Sequence, residues 1–183
     1  MPENDLLKID KESLYFKSFH ELMTQRVAEI LLVSCPYDAF IMQEDGRLAE
    51  RIIHEYRGLN LSRPPRLTWV SNASEALAEL DNMDYDLVII MPHISDMDPY
   101  DLCRKIKETY SELPVYFFAY DAGKLLGNEK FFDRSIIDRT FIWTGNTDLL
   151  LALVKGQEDR LNVEPDTKLA NVRVIILVED SPF

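Results

Sequence analysis

Five short apolar runs divide the chain: Glu29–Val33 (EILLV), Asp86–Ile90 (DLVII) and Val115–Ala119 (VYFFA), with Arg66–Val70 (RLTWV) and Thr140–Trp143 (TFIW). They are too short for helices and rich in β-branched and aromatic residues, so they read as strands. Their apolar residues are nearly continuous rather than alternating, as expected of strands buried on both faces. Helical patterns lie between them. Ile41, Leu48, Ile52 and Tyr56 share one face of a helix that Gly58 stops, and LNLSRPP, 59–65, is a loop by its prolines. Ser74–Leu80 is a short helix with Ala76, Leu77 and Leu80 inward. Asp98-Pro99 is a helix start, an N-cap aspartate with proline at the first helical position, and that helix buries Leu102, Cys103 and Ile106. The polar stretch Asp121–Asn128 predicts no well-defined helix. Thr147 caps a last helix through Leu161, with Leu150, Leu153, Val154 and Leu161 buried.

Strands alternating with helices predict an α/β fold: a doubly wound five-stranded parallel sheet in a three-layer sandwich, covering residues 27–161. Sites in such sheets lie at the carboxyl ends of the strands. Those ends are Ser34-Cys35, Met91-Pro92, Ala119-Tyr120 and Trp143-Thr144.

Both termini add something to this domain. Residues 1–26 are an extension whose part 13–26 has Leu14, Phe16, Phe19, Leu22 and Met23 near helical spacing, an amphipathic docking helix. At the other end, VRVIILVEDSPF, 172–183, repeats the outline of EILLVSCPYDAF, 29–40. It reads as the first strand of a second copy, with 162–171 as linker. One strand cannot bury itself, so the chain is expected to be a piece of a longer protein.

Charge narrows the partners. With 32 acidic and 20 basic residues the net charge is −12, which argues against non-specific nucleic-acid binding and against anionic membranes. No run of 18 apolar residues occurs, and MPENDLLKIDKES is not a signal peptide. Cys35 and Cys103 lie in apolar stretches without a CxxC, so reduced thiols in a cytoplasmic protein are expected.

The strand pattern, the terminal IILVED and the segment YDLVIIMPHISDMDPYDL together resemble the receiver domain of bacterial response regulators, a flavodoxin-like fold. The resemblance implies a phosphoryl group passed from a histidine kinase to an aspartate at the end of strand three. It also implies an acidic pair after strand one that holds Mg²⁺ through hard oxygen ligands. A Thr or Ser after strand four and a Lys after strand five would contact the phosphoryl oxygens. This sequence departs at every one of these positions. The acidic pair is Ser34 and Cys35, the phosphoacceptor is Met91, the Thr/Ser is Ala119, and the Lys falls at Trp143 or Thr144. A hydroxyl and a thiol do not replace two carboxylates for Mg²⁺, and a thioether accepts no phosphoryl group. Met91 reads as packing. Glu179-Asp180 keeps the acidic pair, so the truncated second domain would be the active one.

Other residues carry weaker chemical signals. Asp96, Asp98 and Asp121, with Asp38 after the first strand, offer a displaced acidic site, although Asp98 is explained as a cap and Asp96 as a loop residue. His20 in FHELMTQR echoes the histidine-kinase box, but Gln25 replaces its proline and no ATP-binding motif follows. His54 and His93 have no partner at ligand spacing in the sequence. There is no P-loop, GxGxxG or GxSxG, and the aromatic clusters VYFFAY and FIW read as core. EDGRLAERIIHEYRGLNLSRPP resembles the front of multidomain bacterial signalling proteins, some of which carry phosphoenolpyruvate- or pyruvate-binding modules. The expectation is a non-enzymatic pseudo-receiver with no cofactor and no metal. It would dock to a neighbouring receiver, to a kinase or effector domain, or to itself as a homodimer. The alternatives are a ligand or metal sensor at the strand ends and a receiver with a displaced phosphoacceptor.

Overall fold

A computed structural model describes residues 22–44, 64–121, 123, 129–144 and 148–170. The described residues fall in two compact units, 27–152, and 22–26 with 153–170. Among them no helix is long and apolar enough to cross a membrane.

The larger unit is built on a parallel sheet of β1 (Glu29–Val33), β2 (Arg66–Val70), β3 (Leu87–Ile90), β4 (Val115–Ala119) and β5 (Arg139–Ile142). The order across the sheet is β2-β1-β3-β4-β5. Its helices are α1 (Pro36–Glu44), α2 (Ala73–Asn82), α3 (Pro99–Thr109) and the start of α4 (Asp148–Ala170), with a single 3₁₀ turn at Glu129–Phe132. This is the expected doubly wound α/β fold. The central strands are buried throughout, because parallel strands with helices on both faces leave no solvated side. Alternate residues serve the two faces. Leu31, Val33, Val88, Ile90 and Phe117 join Ala76, Leu80, Leu102, Cys103 and Ile106 in one core cluster. Ile30, Leu32, Ile89 and Phe118 are equally buried between them in sequence. Truncating a fully buried residue such as Leu102 to alanine costs about 2–5 kcal/mol.

Capping fixes where the helices start. Asp98 accepts from the Tyr100 N–H ahead of Pro99, as the sequence indicates. Asn72 caps α2 by accepting from the Glu75 N–H, while Glu75 accepts from the Ser71 N–H at 2.9 Å. The first bond satisfies an amide that the opening turn leaves without a helical partner, and the second ties the residue before the cap to that turn.

In the smaller unit the structure differs from expectation twice. Residues 22–26 are not helical. The Gln25 N–H donates to Asn162 Oδ1 at 2.8 Å, and Asn162 Nδ2 donates back to the Gln25 carbonyl at 2.6 Å. The Met23 N–H donates to the Asp166 carboxylate. The backbone groups of this segment are therefore taken by side chains rather than by helical carbonyls. The second difference is that α4 continues to Ala170 rather than ending at Leu161, so 162–170 is helix where a linker was expected. Its polar composition is that of an exposed helix surface. Pro165 removes one N–H from the ladder, and the Thr167 hydroxyl donates to the Val163 carbonyl near that gap. The expected helix at 13–21, the helix positions from 48 to 58, His20, His54 and the strand at 172–183 lie outside the described residues.

Candidate functional site

Ser34, Met91, Ala119 and Trp143, four of the positions at which a receiver would carry its chemistry, are packed or bonded into the fold. Ser34 follows β1 and is buried. Its hydroxyl accepts from the Trp69 indole Nε1 at 3.0 Å, and its carbonyl accepts from the same nitrogen at 3.1 Å. Met91 follows β3 with no exposed surface, and its N–H extends the ladder to the Val33 carbonyl at 2.9 Å. Ala119 closes β4 and is buried. Trp143 lies one residue beyond β5 and stacks on Phe118, with ring centroids 5.4 Å apart and planes 10° apart. Thr144 is exposed.

A magnesium site of the receiver type would need hard oxygen donors here. The side chains at the matching positions are a hydroxyl already bonded to an indole, a thiol and a buried thioether, and Asp38 adds one carboxylate where the ion takes oxygen donors throughout. They do not fit that ion.

The alternative acidic residues are engaged separately. Asp96 is more than a loop residue: its carboxylate accepts from the Ala73 N–H at 2.7 Å and the Ser74 N–H at 2.9 Å, anchoring the start of α2. Asp98 accepts from the Tyr100 N–H and stands 3.4 Å from Lys130 Nζ. Asp121 accepts from the Gly123 N–H at 2.7 Å. These three carboxylates serve three different backbones, and the structure does not gather them into one ligand set.

A different set converges. Cys35, Asp38 and His93 meet at the carboxyl ends of β1 and β3. His93 therefore has partners that its position in the sequence concealed, since β1 and β3 are neighbours in the sheet only after folding. Its Nδ1 lies 3.6 Å from Asp38 Oδ2, and its ring stacks on Tyr120 at 5.2 Å. Burial raises the Cys35 thiol above its ordinary range, and the nearby Asp38 carboxylate adds to the rise against opposing backbone bonds. The Tyr120 hydroxyl is also pushed up, first by burial and then by Asp38. Cys103 is unrelated to this site; burial inside the core pushes its thiol up to about 12.

The order β2-β1-β3-β4-β5, all parallel, together with strand ends at these positions, places the domain among solved structures. The signal receiver domain of an HD domain-containing protein from Pseudomonas fluorescens Pf-5 is 26% identical with a TM-score of 0.56, covering 78% of this chain and 95% of that one. This is the receiver fold. A CheY-like response regulator receiver domain from Methanospirillum hungatei JF-1 shares that fold at 19% identity and a TM-score of 0.58, covering 75% of this chain and 98% of that one. A two-component response regulator from Clostridium difficile does so at 23% identity and a TM-score of 0.55, covering 74% and 98%. No family model matches the chain, and neither does any curated protein.

Proposed function

We propose that this receiver-fold domain signals by docking and does not accept a phosphoryl group. The observation that carries the reading is Met91. A fully buried thioether stands at the end of β3, where the resemblance to receivers calls for the acceptor carboxylate. Ser34, Cys35, Ala119 and Trp143 support it, since none supplies the carboxylate, hydroxyl or ammonium group that the chemistry needs at its position. The likeness to receivers supports a role in a two-component system, in the cytoplasm of a bacterium, without enzymatic activity. The partner would be a neighbouring receiver, a second copy, or a kinase or effector domain. Tyr37 and Phe40, 70% and 54% exposed on α1, are candidate contacts. A switch of this kind is set by a partner's differential affinity for two conformations.

The test is intact-mass spectrometry of the full chain after brief incubation with acetyl phosphate and Mg²⁺. The expected result is an unchanged mass. A single added phosphoryl group, lost when Asp96→Asn or Asp98→Asn is introduced, overturns the reading in favour of a displaced phosphoacceptor.

A further inference from the structure

Cys35 immediately precedes α1, Asp38 lies in its first turn, and His93 follows β3. One donor atom from each lies within 4.8 Å of the others: the thiol sulfur, a carboxylate oxygen and a ring nitrogen. Among the described residues no other group of three Cys, His, Asp or Glu side chains meets that spacing. Proximity alone does not make a site. Asp38 is the residue that points to a ligand. Its side chain is 7% exposed, and its Oδ2 has no hydrogen-bond partner. His93 Nδ1, at 3.6 Å, is too far to serve as one. The Tyr120 hydroxyl and the Cys35 thiol also bear on this carboxylate, yet a buried carboxylate oxygen left without a hydrogen bond is costly, and a cation held beside it removes that cost.

We infer that Cys35 Sγ, Asp38 Oδ2 and a ring nitrogen of His93 form a binding site for one borderline-soft divalent cation, with zinc as its representative. The inference goes beyond the docking reading and does not depend on it. The donor set selects the ion class. A thiolate and an imidazole beside one carboxylate suit zinc, whereas magnesium and calcium require oxygen donors throughout. Zinc bonds of about 2.0–2.3 Å at tetrahedral angles place ligand atoms roughly 3.3–3.8 Å apart. The His93–Asp38 separation of 3.6 Å already meets this. The remaining closure falls to half-buried Cys35 and to His93, whose side chain is 66% exposed on its loop. Tyr120, stacked against His93, fixes the plane of the imidazole. Three protein ligands leave a fourth position. A depression of about 440 Å³ beside Cys35, Pro92 and His93 has room there for water or a small anion. Binding converts the Cys35 thiol to a thiolate, whose proton passes to water. The bound ion would tie the start of α1 to the loop after β3.

The experiment titrates the full-length, reduced, metal-free chain with Co²⁺ as an optical probe, then displaces it with Zn²⁺. One equivalent is expected, with a sulfur-to-cobalt charge-transfer band and visible bands of tetrahedral intensity. Zn²⁺ should abolish these bands, and excess Mg²⁺ should not. Cys35→Ser should remove the charge-transfer band. His93→Gln should weaken Co²⁺ binding by about 10-fold or more. Cys103→Ala should leave the bands unchanged, and thermal unfolding of each variant would verify its fold. Absence of a band at saturating cobalt overturns the inference, as does a band that survives Cys35→Ser or that responds only to changes at His20 or His54. Phosphoryl uptake from acetyl phosphate would overturn the docking reading and leave this site standing. A missing cobalt band would do the reverse.

Discussion

The Trp69 indole nitrogen donates to the Ser34 hydroxyl across the β1–β2 pair, at 3.0 Å. An exposed edge-strand tryptophan thus satisfies a buried polar group at the position where receivers carry an acidic residue. Trp69→Phe keeps an aromatic ring and removes the donor, leaving the Ser34 oxygen alone. The expected cost is about 1–3 kcal/mol. Urea unfolding of Trp69→Phe, Ser34→Ala and the double variant checks this. A coupling of at least roughly 0.5 kcal/mol is expected, and strictly additive effects would show that the bond contributes nothing.

Restoring the acceptor residue alone should not restore the chemistry. Met91→Asp places a carboxylate where no surface is exposed, at a cost on the order of 2–7 kcal/mol if it finds no partner. Ser34 and Cys35 still supply no magnesium carboxylates. The variant should melt at a lower temperature and gain no mass with acetyl phosphate and Mg²⁺. Uptake by Met91→Asp would mean that the rest of the site is more competent than its side chains indicate.

Lys107 and Asp138 hold the end of α3 to the strands beside it. Their charged atoms are 2.7 Å apart, with the side chains 11% and 18% exposed. Asp138 also accepts from the Val115 N–H at 2.8 Å, and Lys107 donates to the Leu113 carbonyl at 2.8 Å. Breaking one partner of such a pair leaves the other charge largely buried. Asp138→Ala should cost about 3 kcal/mol. Replacing both residues with apolar ones should cost less than the sum of the two single changes, as measured by denaturant midpoints at constant slope.

Acid should act partly through Asp96. Hydrogen bonds from the Ser74 hydroxyl, then from the Ala73 N–H, hold this carboxyl below its ordinary value of 3.8. A group with a lowered folded pKa contributes stability above its unfolded pKa and loses it as pH falls through the folded one. Asp96→Asn should therefore be less stable than the parent at neutral pH. The gap should narrow once pH drops below about 3.9. Thermal unfolding from pH 7 to pH 2.5 tests the sign, and a gap that widens in acid contradicts it.

The strands were legible to within a residue because a parallel strand must be apolar on both faces, and a run such as EILLV has few other readings. Asp98-Pro99 was legible because a cap acts over two or three residues. The N-cap Asn72 with Glu75 three residues on carried a local signal too, and its pattern would have moved the start of α2 from Ser74 to Ala73. Other features depend on the folded chain. Asp96 is separated from the helix it anchors by the whole of β3. Asp38 and His93 meet because β1 and β3 pair, a fact of topology rather than of spacing. Residues 22–26 read as helix because their apolar spacing allows one, and long-range bonds to Asn162 and Asp166 decide otherwise.

The position of β1 between β2 and β3 also governs how the chain is made. Ile30 pairs with Leu67 on one side and with Leu87 on the other. At roughly 5–20 residues per second, about 3–11 s separate the synthesis of Ile30 from that of Leu87. For that time Ile30-Leu-Leu-Val33, among the most apolar segments of the chain, has no completed sheet to enter. Non-local parallel pairing is slow to form and exposes such segments to aggregation. The order in which the strands leave the ribosome therefore sets how long this apolar segment waits for its partners, whatever the stability of the finished sheet.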